Sequence, residues 1–414
     1  MVRSDKRTEG DVMSGHKKKS GAISFLLENS LFLIAGASLA LVWANLDHHS
    51  YGDIAHNHGF HFAVNDVLMA FFFLLAGKEI REAMLPGGAL STVRTASLPL
   101  MATIGGMAGP AIIYFVGAKM LMPELTPGWA IPMATDIAFA YLVAKLIWGH
   151  SDANGKTPAP IIFLLLLAIA DDAGGLIVLA IFYPQPLMVN FGEVVGSGFL
   201  AGHQMVVFSL FVGTAIALSL LFWKKLRIHN FWAYLLVPGV LSWFGFFFGG
   251  IHPALALVPL AWCMPHEYAD LGIWAPGESN RQDTLNKMEH WWKNPVEIVL
   301  GLFGFVNAGV ALSAMGTGTW LVFGGLLVGK PVGIVLMTKL GQLMGLKLPE
   351  GMGTRDLLVV GMAAAIGFTV ALFVSVVAFP AGELLDSVKM GALFSFSAAI
   401  LTFAIAKILG IKRS

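Results

Sequence analysis

Charge is scarce in this chain: Asp, Glu, Lys and Arg make up only 12% of its 414 residues, against about 25% in an average soluble domain. So little charge cannot dress a surface in water, which excludes a water-soluble globule. Cysteine is scarcer still. The single Cys263 leaves no partner for an intrachain disulfide and no ligand set for a cysteine-based metal cluster. Neither sign of charge dominates either, since 26 Lys and Arg face 25 Asp and Glu for a net charge of +1. There is no global basic field to hold nucleic acid.

What the chain has instead is apolar sequence, 57% of it, in runs of membrane-crossing length. A helix of about 20 mostly apolar residues crosses the hydrocarbon core, where the backbone must satisfy its own hydrogen bonds. The sequence predicts an all-α polytopic membrane protein with twelve spans, at 23–46, 62–83, 96–118, 129–148, 160–183, 204–222, 231–248, 251–264, 295–312, 320–340, 357–379 and 384–409. The eighth is short, and Gly249-Gly250 before it suggests a bent or half-inserted element. The first run is longer than a signal-peptide core and lacks a small-residue cleavage site, so it is read as a span. The chain then divides into a tail (1–22), a membrane domain (23–409) and a second tail (410–414).

Lys and Arg test that count, because cytoplasmic loops collect them. With the N-terminus inside, 23 of the 26 fall on the cytoplasmic side, Lys119 and Lys389 fall outside, and Lys330 lies in mid-membrane. Both termini are therefore expected in the cytoplasm.

Four charges sit where none is expected. Asp136 lies near the centre of the fourth run, Asp171 and Asp172 near that of the fifth, and Lys330 near that of the tenth. At about 2.5–3.5 kcal/mol each on insertion scales, the four together cost roughly 10–14 kcal/mol. An ion pair that merely pins two helices accounts for two of them at most. One lysine cannot neutralise three carboxylates, so at least one Asp must carry a proton or a cation. Asp171 and Asp172 diverge by about 100° on a helix and cannot share one proton. The arrangement expected is Asp171 facing Lys330 and Asp172 facing a water-filled cavity, with Gly174 and Gly175 allowing close approach beside it.

Low dielectric disfavours the charged form of either residue type, which makes a buried carboxyl a proton carrier near neutral pH. An ionised carboxylate with carbonyls and a hydroxyl such as Thr135 is also a hard oxygen site for a small cation. Asp172 can thus hold either a proton or a cation, the chemical requirement for exchange. Pro132 in the fourth run breaks the helical ladder and frees a carbonyl, and Gly367 in the eleventh permits unwound backbone. Two broken spans, each inside a three-span group, fit an inverted repeat with its site at the midplane.

The segments Pro132-Met133-Ala134-Thr135-Asp136-Ile137-Ala138-Phe139-Ala140, Ala168-Ile169-Ala170-Asp171-Asp172, Asn307-Ala308-Gly309-Val310, Gly329-Lys330-Pro331 and Ile366-Gly367-Phe368-Thr369 closely resemble the NhaA-type sodium/proton antiporters. The resemblance runs from about Phe25 to the C-terminus. It implies a twelve-helix fold with crossed, unwound fourth and eleventh spans. It further implies electrogenic exchange of Na⁺ or Li⁺ for protons across the bacterial inner membrane, serving pH and sodium homeostasis, by a homodimer that is not an enzyme and needs no cofactor. Asp171 and Asp172 become the ion-binding and proton-carrying pair, supported by Thr135, Asp136, Lys330 and Gly367. The family's cytoplasmic pattern Glu-x-x-Arg-Glu is shifted here to Glu79-Ile80-Arg81-Glu82-Ala83, so Glu79 carries over while the Arg-Glu pair does not align. Glu289-His290 resembles another part of that pH-responsive surface. At an open mouth such pairs are exposed and weak, about 0–1 kcal/mol each, which predicts a shallow pH activation set by competition at Asp172.

Two other classes use similar parts. Intramembrane aspartyl proteases resemble one another in Tyr-Asp and Gly-x-Gly-Asp motifs, where this chain has Thr135-Asp136 and Ala170-Asp171. A sodium-coupled organic-anion symporter would have no need of Lys330 beside Asp171. His48, His49, His56, His58 and His61 in the first outside loop are read as a solvated loop or a dimer-forming hairpin in preference to a metal site. The stripe Gly325, Gly329, Gly333 is read as close helix packing, and Lys17-Lys18-Lys19 as a topology signal. The stretch Gln185 to His203 looks longer than usual for the family.

Overall fold

The computed structural model describes residues 31–411 apart from 56, 86–87, 89, 91, 150–156, 185–201 and 267–282. Expectations for the N-terminal tail, for most of the 185–203 stretch and for His56 fall outside the described residues. Within them every regular element is helical. In chain order these are α1 (Phe32–Leu46), α2 (His48–Ala55), α3 (His58–Met84), α4 (Val93–Leu121), a 3-10 helix (Pro123–Ala130), α5 (Ile137–Trp148), α6 (Ala159–Phe182), α7 (Gly202–Lys224) and α8 (Phe231–Gly249). A second 3-10 turn (Pro253–Leu255) leads to α9 (Val258–Cys263), α10 (Thr284–Asn307), α11 (Thr317–Leu343), α12 (Thr354–Ala364), α13 (Phe368–Ala378) and α14 (Glu383–Ile408).

Among the described residues, seven helices are long and apolar enough to cross a membrane, or eight if α12 and α13, bent by 46°, count as one span. The expected twelve therefore do not appear as twelve unbroken helices. In the fourth run the 3-10 helix stops at Ala130, residues 131–136 form no regular helix around Pro132, and α5 restarts at Ile137 for only 12 residues. In the eighth, the Pro253–Leu255 turn and the six-residue α9 are each too short to cross. Helix α10 has the length, but Lys287, Glu289 and Lys293 make its first half polar. Helix α1 is described over 15 residues only.

Among the described residues, three π-helical segments widen the long helices, at Ala63–Leu68, Leu235–Gly239 and Gly325–Gly329. A proline ring clashes with the carbonyl four residues earlier, and a wider turn relieves that clash. Pro238 lies inside the second segment, and Pro331 reaches back to Leu327 in the third. The first contains no proline.

Helices α4 and α11 approach until backbone meets backbone. A methyl at Gly105 or Gly109 would overlap the carbonyl of Gly333 or Gly329, and one at Gly333 would overlap that of Gly105. The glycine stripe of α11 is thus a packing surface, with Gly325 against Pro132 and Pro110. The first loop, expected on the outside, is helical where it is described, so no hairpin forms among those residues. Tyr51 of α2 is fully buried, its hydroxyl donating to the Phe305 carbonyl at 2.6 Å, and this anchor lets the neighbouring imidazoles stay in solvent. His49 is exposed and lies 3.2 Å from Asp53.

Candidate ion-exchange site

The breaks in the fourth and eleventh runs meet. The Asp136 amide donates to the Ile366 carbonyl at 2.7 Å, and a side chain at Gly367 would press on the Ala134 carbonyl and Leu326. Gly367 lies in the non-helical stretch 365–367 between α12 and α13, where the close approach of Ala134 and Leu326 also leaves no room for a side chain.

Asp136 is the N-cap of α5, accepting from the Phe139 amide at 3.4 Å. Its other oxygen accepts from the Thr369 amide at 3.3 Å and from the Thr369 hydroxyl, at the start of α13. One carboxylate therefore faces the amino ends of two half-helices, each carrying roughly +0.5 charge. The opposite polarity is met by Lys330, whose Nζ donates to the Met133 carbonyl freed by the break and to Asp171 Oδ2 at 2.6 Å. Lys330 and Asp171 are both fully buried. The Thr135 hydroxyl lies 2.9 Å from the same Asp171 oxygen and 3.0 Å from the Ala364 carbonyl. Thr135 thus serves Asp171, whereas its sequence reading placed it among ligands around Asp172.

Asp172 points elsewhere. It lines a narrow, mostly apolar cleft together with Phe72, Phe73, Gly175, Val370 and Phe373. Its Oδ1 is buried and has no hydrogen-bond partner among the described residues, nor has Asp171 Oδ1. Gly175 leaves open space beside it, while Gly174 is in contact with the Met107 side chain. Two adjacent aspartates thus occupy different environments, one ion-paired and one facing a cleft, as their helical divergence requires.

The acidic cluster at the end of α3 is not exposed. Glu79, Arg81, Glu82 and Glu289 are all buried, which removes the premise that solvent weakens them. Lys78, fully buried, holds Glu82 at 2.5 Å and also Glu289 of α10. Arg81 donates to the carbonyls of Ala261 and Met264 at the end of α9, a favourable place for a cation. His266 lies 2.8 Å from Asp283 and 3.3 Å from Glu82. Burial acts to lower the His266 pKa, but its contacts with Asp283 and Glu82 outweigh that and hold it above the ordinary histidine value.

Lys78, His266, Asp283 and Thr369 were not singled out from sequence. The four-residue spacing of Lys78 and Glu82 was an available signal; His266 and Asp283 flank the undescribed 267–282 stretch, and only folding brings them together.

The model of the family described as Na+/H+ antiporter 1 matches residues 24–406. The Na(+)/H(+) antiporter NhaA of Jannaschia sp. (strain CCS1) is 45% identical, with 94% of this chain and 98% of that protein covered. That of Desulfitobacterium hafniense (strain DSM 10664 / DCB-2) is 43% identical over 97% of this chain and 98% of its own length. The fold is similar to the solved structure of the sodium proton antiporter MjNhaP1 from Methanocaldococcus jannaschii, with a TM-score of 0.54 at 15% identity, covering 92% of this chain and 91% of that one. With a family model spanning nearly all of the sequence and relatives this similar from end to end, the chain belongs to the Na+/H+ antiporter 1 family.

Proposed function

We propose that the protein exchanges Na⁺, or Li⁺, for protons electrogenically across the bacterial inner membrane, as a twelve-span homodimer with both termini in the cytoplasm, and so contributes to pH and sodium homeostasis. The observation that carries this is the pair of unlike aspartates: Asp171 held by Lys330, and Asp172 at a cleft with an unpartnered oxygen. Deprotonated Asp172 takes the cation, and protonation expels it. A cation drawn between the two carboxylates competes with Lys330 for Asp171, and a lysine that loses this partner in low dielectric gives up its proton. Two protons then leave for one cation, which makes the cycle electrogenic. Adding Na⁺ to everted vesicles with an acid interior should release protons, reported by a pH-sensitive dye. No release with either Na⁺ or Li⁺ would overturn the proposal, and a protease or an organic-anion symporter predicts that silence.

Asp136 is assigned the role of offsetting the two half-helix amino ends. Asp136→Asn keeps the hydrogen-bond acceptor and loses the charge. It should raise the apparent KM for Na⁺ several-fold yet retain measurable exchange. A complete loss in the same dye assay would make Asp136 a carrier.

The inner cluster is assigned to pH response, now on the basis of buried groups. His266 faces Glu82 and Asp283, with Lys78, Arg81 and Glu289 directly behind. Because its folded pKa is raised, the contacts of charged His266 are fully present below the ordinary histidine value of about 6.5. They are lost as pH rises through the raised value, so alkalinisation loosens the tie between α3 and the residues preceding α10. His266→Gln should therefore flatten the alkaline rise of exchange rate. Rates across pH at several Na⁺ concentrations check this, since competition at Asp172 moves with Na⁺ and the His266 contribution does not. A parent-like profile would remove His266 from the response.

A further inference from the structure

One acidic side chain in the long helices has no part in the site described. Asp66 lies in the π-helical segment Ala63–Leu68 of α3, the one such segment among the described residues without a proline in it or just beyond it. Its side chain is 20% exposed. Among the described residues its carboxylate accepts no hydrogen bond, and its nearest cation-forming neighbour is His252, with Nε2 3.9 Å from Oδ1. A π turn with no proline to relieve is typical of a functional position.

What lies beneath Asp66 gives the position meaning. Six residues farther along α3, or about 9 Å at the helical rise, Phe72 and Phe73 line the Asp172 cleft. From the other side, the buried His252 ring lies 4.8 Å from that of Phe373, which packs edge-on against Phe73 at 5.0 Å. Phe373 lines the same cleft. Asp66 and Asp172 are thus on opposite sides of an aromatic layer made by Phe73, Phe373 and His252. The far end of α3 carries Lys78 and Arg81, the cytoplasmic signature, so Asp66 faces the outside.

We propose that Asp66 is an outer staging site for the transported cation, a half-buried carboxylate that gathers Na⁺ or H⁺ at the external face before the Phe73–Phe373 layer admits it to Asp172. The proposal rests on the exchange reading above. The ionised carboxylate attracts either monovalent cation, so it tunes access on one face without altering the exchange ratio. His252 opposite it adds a second polar group at the same mouth.

The test uses the full-length protein in right-side-out and everted vesicles, with the half-saturating Na⁺ concentration measured on each face. Asp66→Asn should raise the outer value about fivefold, the scale of one charge acting over about 10 Å in a partly aqueous mouth. The inner value should stay where it is, and the outer proton concentration that half-inhibits exchange should rise in the same proportion. Asp66→Glu should restore the parent outer value. An unchanged outer value, or an equal shift on both faces, would overturn the staging site. Exchange that survives in Asp172→Asn would instead remove the reading on which it rests, so the two failures are distinguishable.

Discussion

Everted vesicles containing Asp172→Asn should show no Na⁺-dependent proton release at any pH, while the protein reaches the membrane at the parent level and melts at the parent temperature. The amide has nearly the size of the carboxyl, so packing around the cleft is preserved. It can neither release a proton nor hold a cation with full charge, and both halves of the exchange fail together. The expected loss is complete because no neighbour can substitute: Asp171 is engaged by Lys330 and Thr135, and Asp136 by Thr369 and the α5 amino end. Parent-rate dissipation of a pH gradient by Na⁺ in these vesicles would show that Asp172 is not the exchange group. Loss of the folded protein would make its role structural.

Lys330→Ala is expected to act on stability as well as on transport. It strips a fully buried carboxylate of its ion-pair partner and the Met133 carbonyl of its donor. Breaking one side of a buried pair typically destabilises by about 3–5 kcal/mol. Thr135 still offers Asp171 a hydrogen bond, but a hydroxyl cannot neutralise it. Thermal unfolding in detergent should shift down clearly. The current evoked by a Na⁺ jump on a supported membrane should shrink, because one of the two proton-losing groups is gone. Unchanged unfolding together with unchanged current would dismiss the pair.

Much of this site was readable before any coordinates, and for a definable reason. A charge in a run of apolar residues stands out against its surroundings, so Asp136, Asp171, Asp172 and Lys330 could be found one by one, and helical geometry alone separated the two adjacent aspartates. Pro132 marked a break by its missing amide. Partners were harder, since the Thr135 hydroxyl could be placed near either aspartate until α12 supplied the Ala364 carbonyl that orients it. The interruptions of the fourth and eighth runs were legible too, since Pro132 and the Gly249-Gly250 pair signal them locally, whereas the polar first half of α10 and the short described length of α1 leave their spans less plain. The inner cluster was misjudged because charges at a span end look like solvated ends. Burial there comes from α9 and α10 closing over α3, a long-range arrangement with no local trace. Asp66 has no local trace for the same reason, since His252 reaches it only through the fold.

The contact between α4 and α11 leaves Lys330 in an unusual position. Its backbone lies between Gly329 and Gly333, both pressed directly on α4. Any substitution at either would wedge the helices apart and carry the ammonium with them, away from a carboxylate 2.6 Å distant. The most mutation-sensitive positions of the transporter therefore include residues that carry no chemistry whatever. Inherited damage to ion exchange can enter through a single added methyl group, and the charged residues themselves would remain intact.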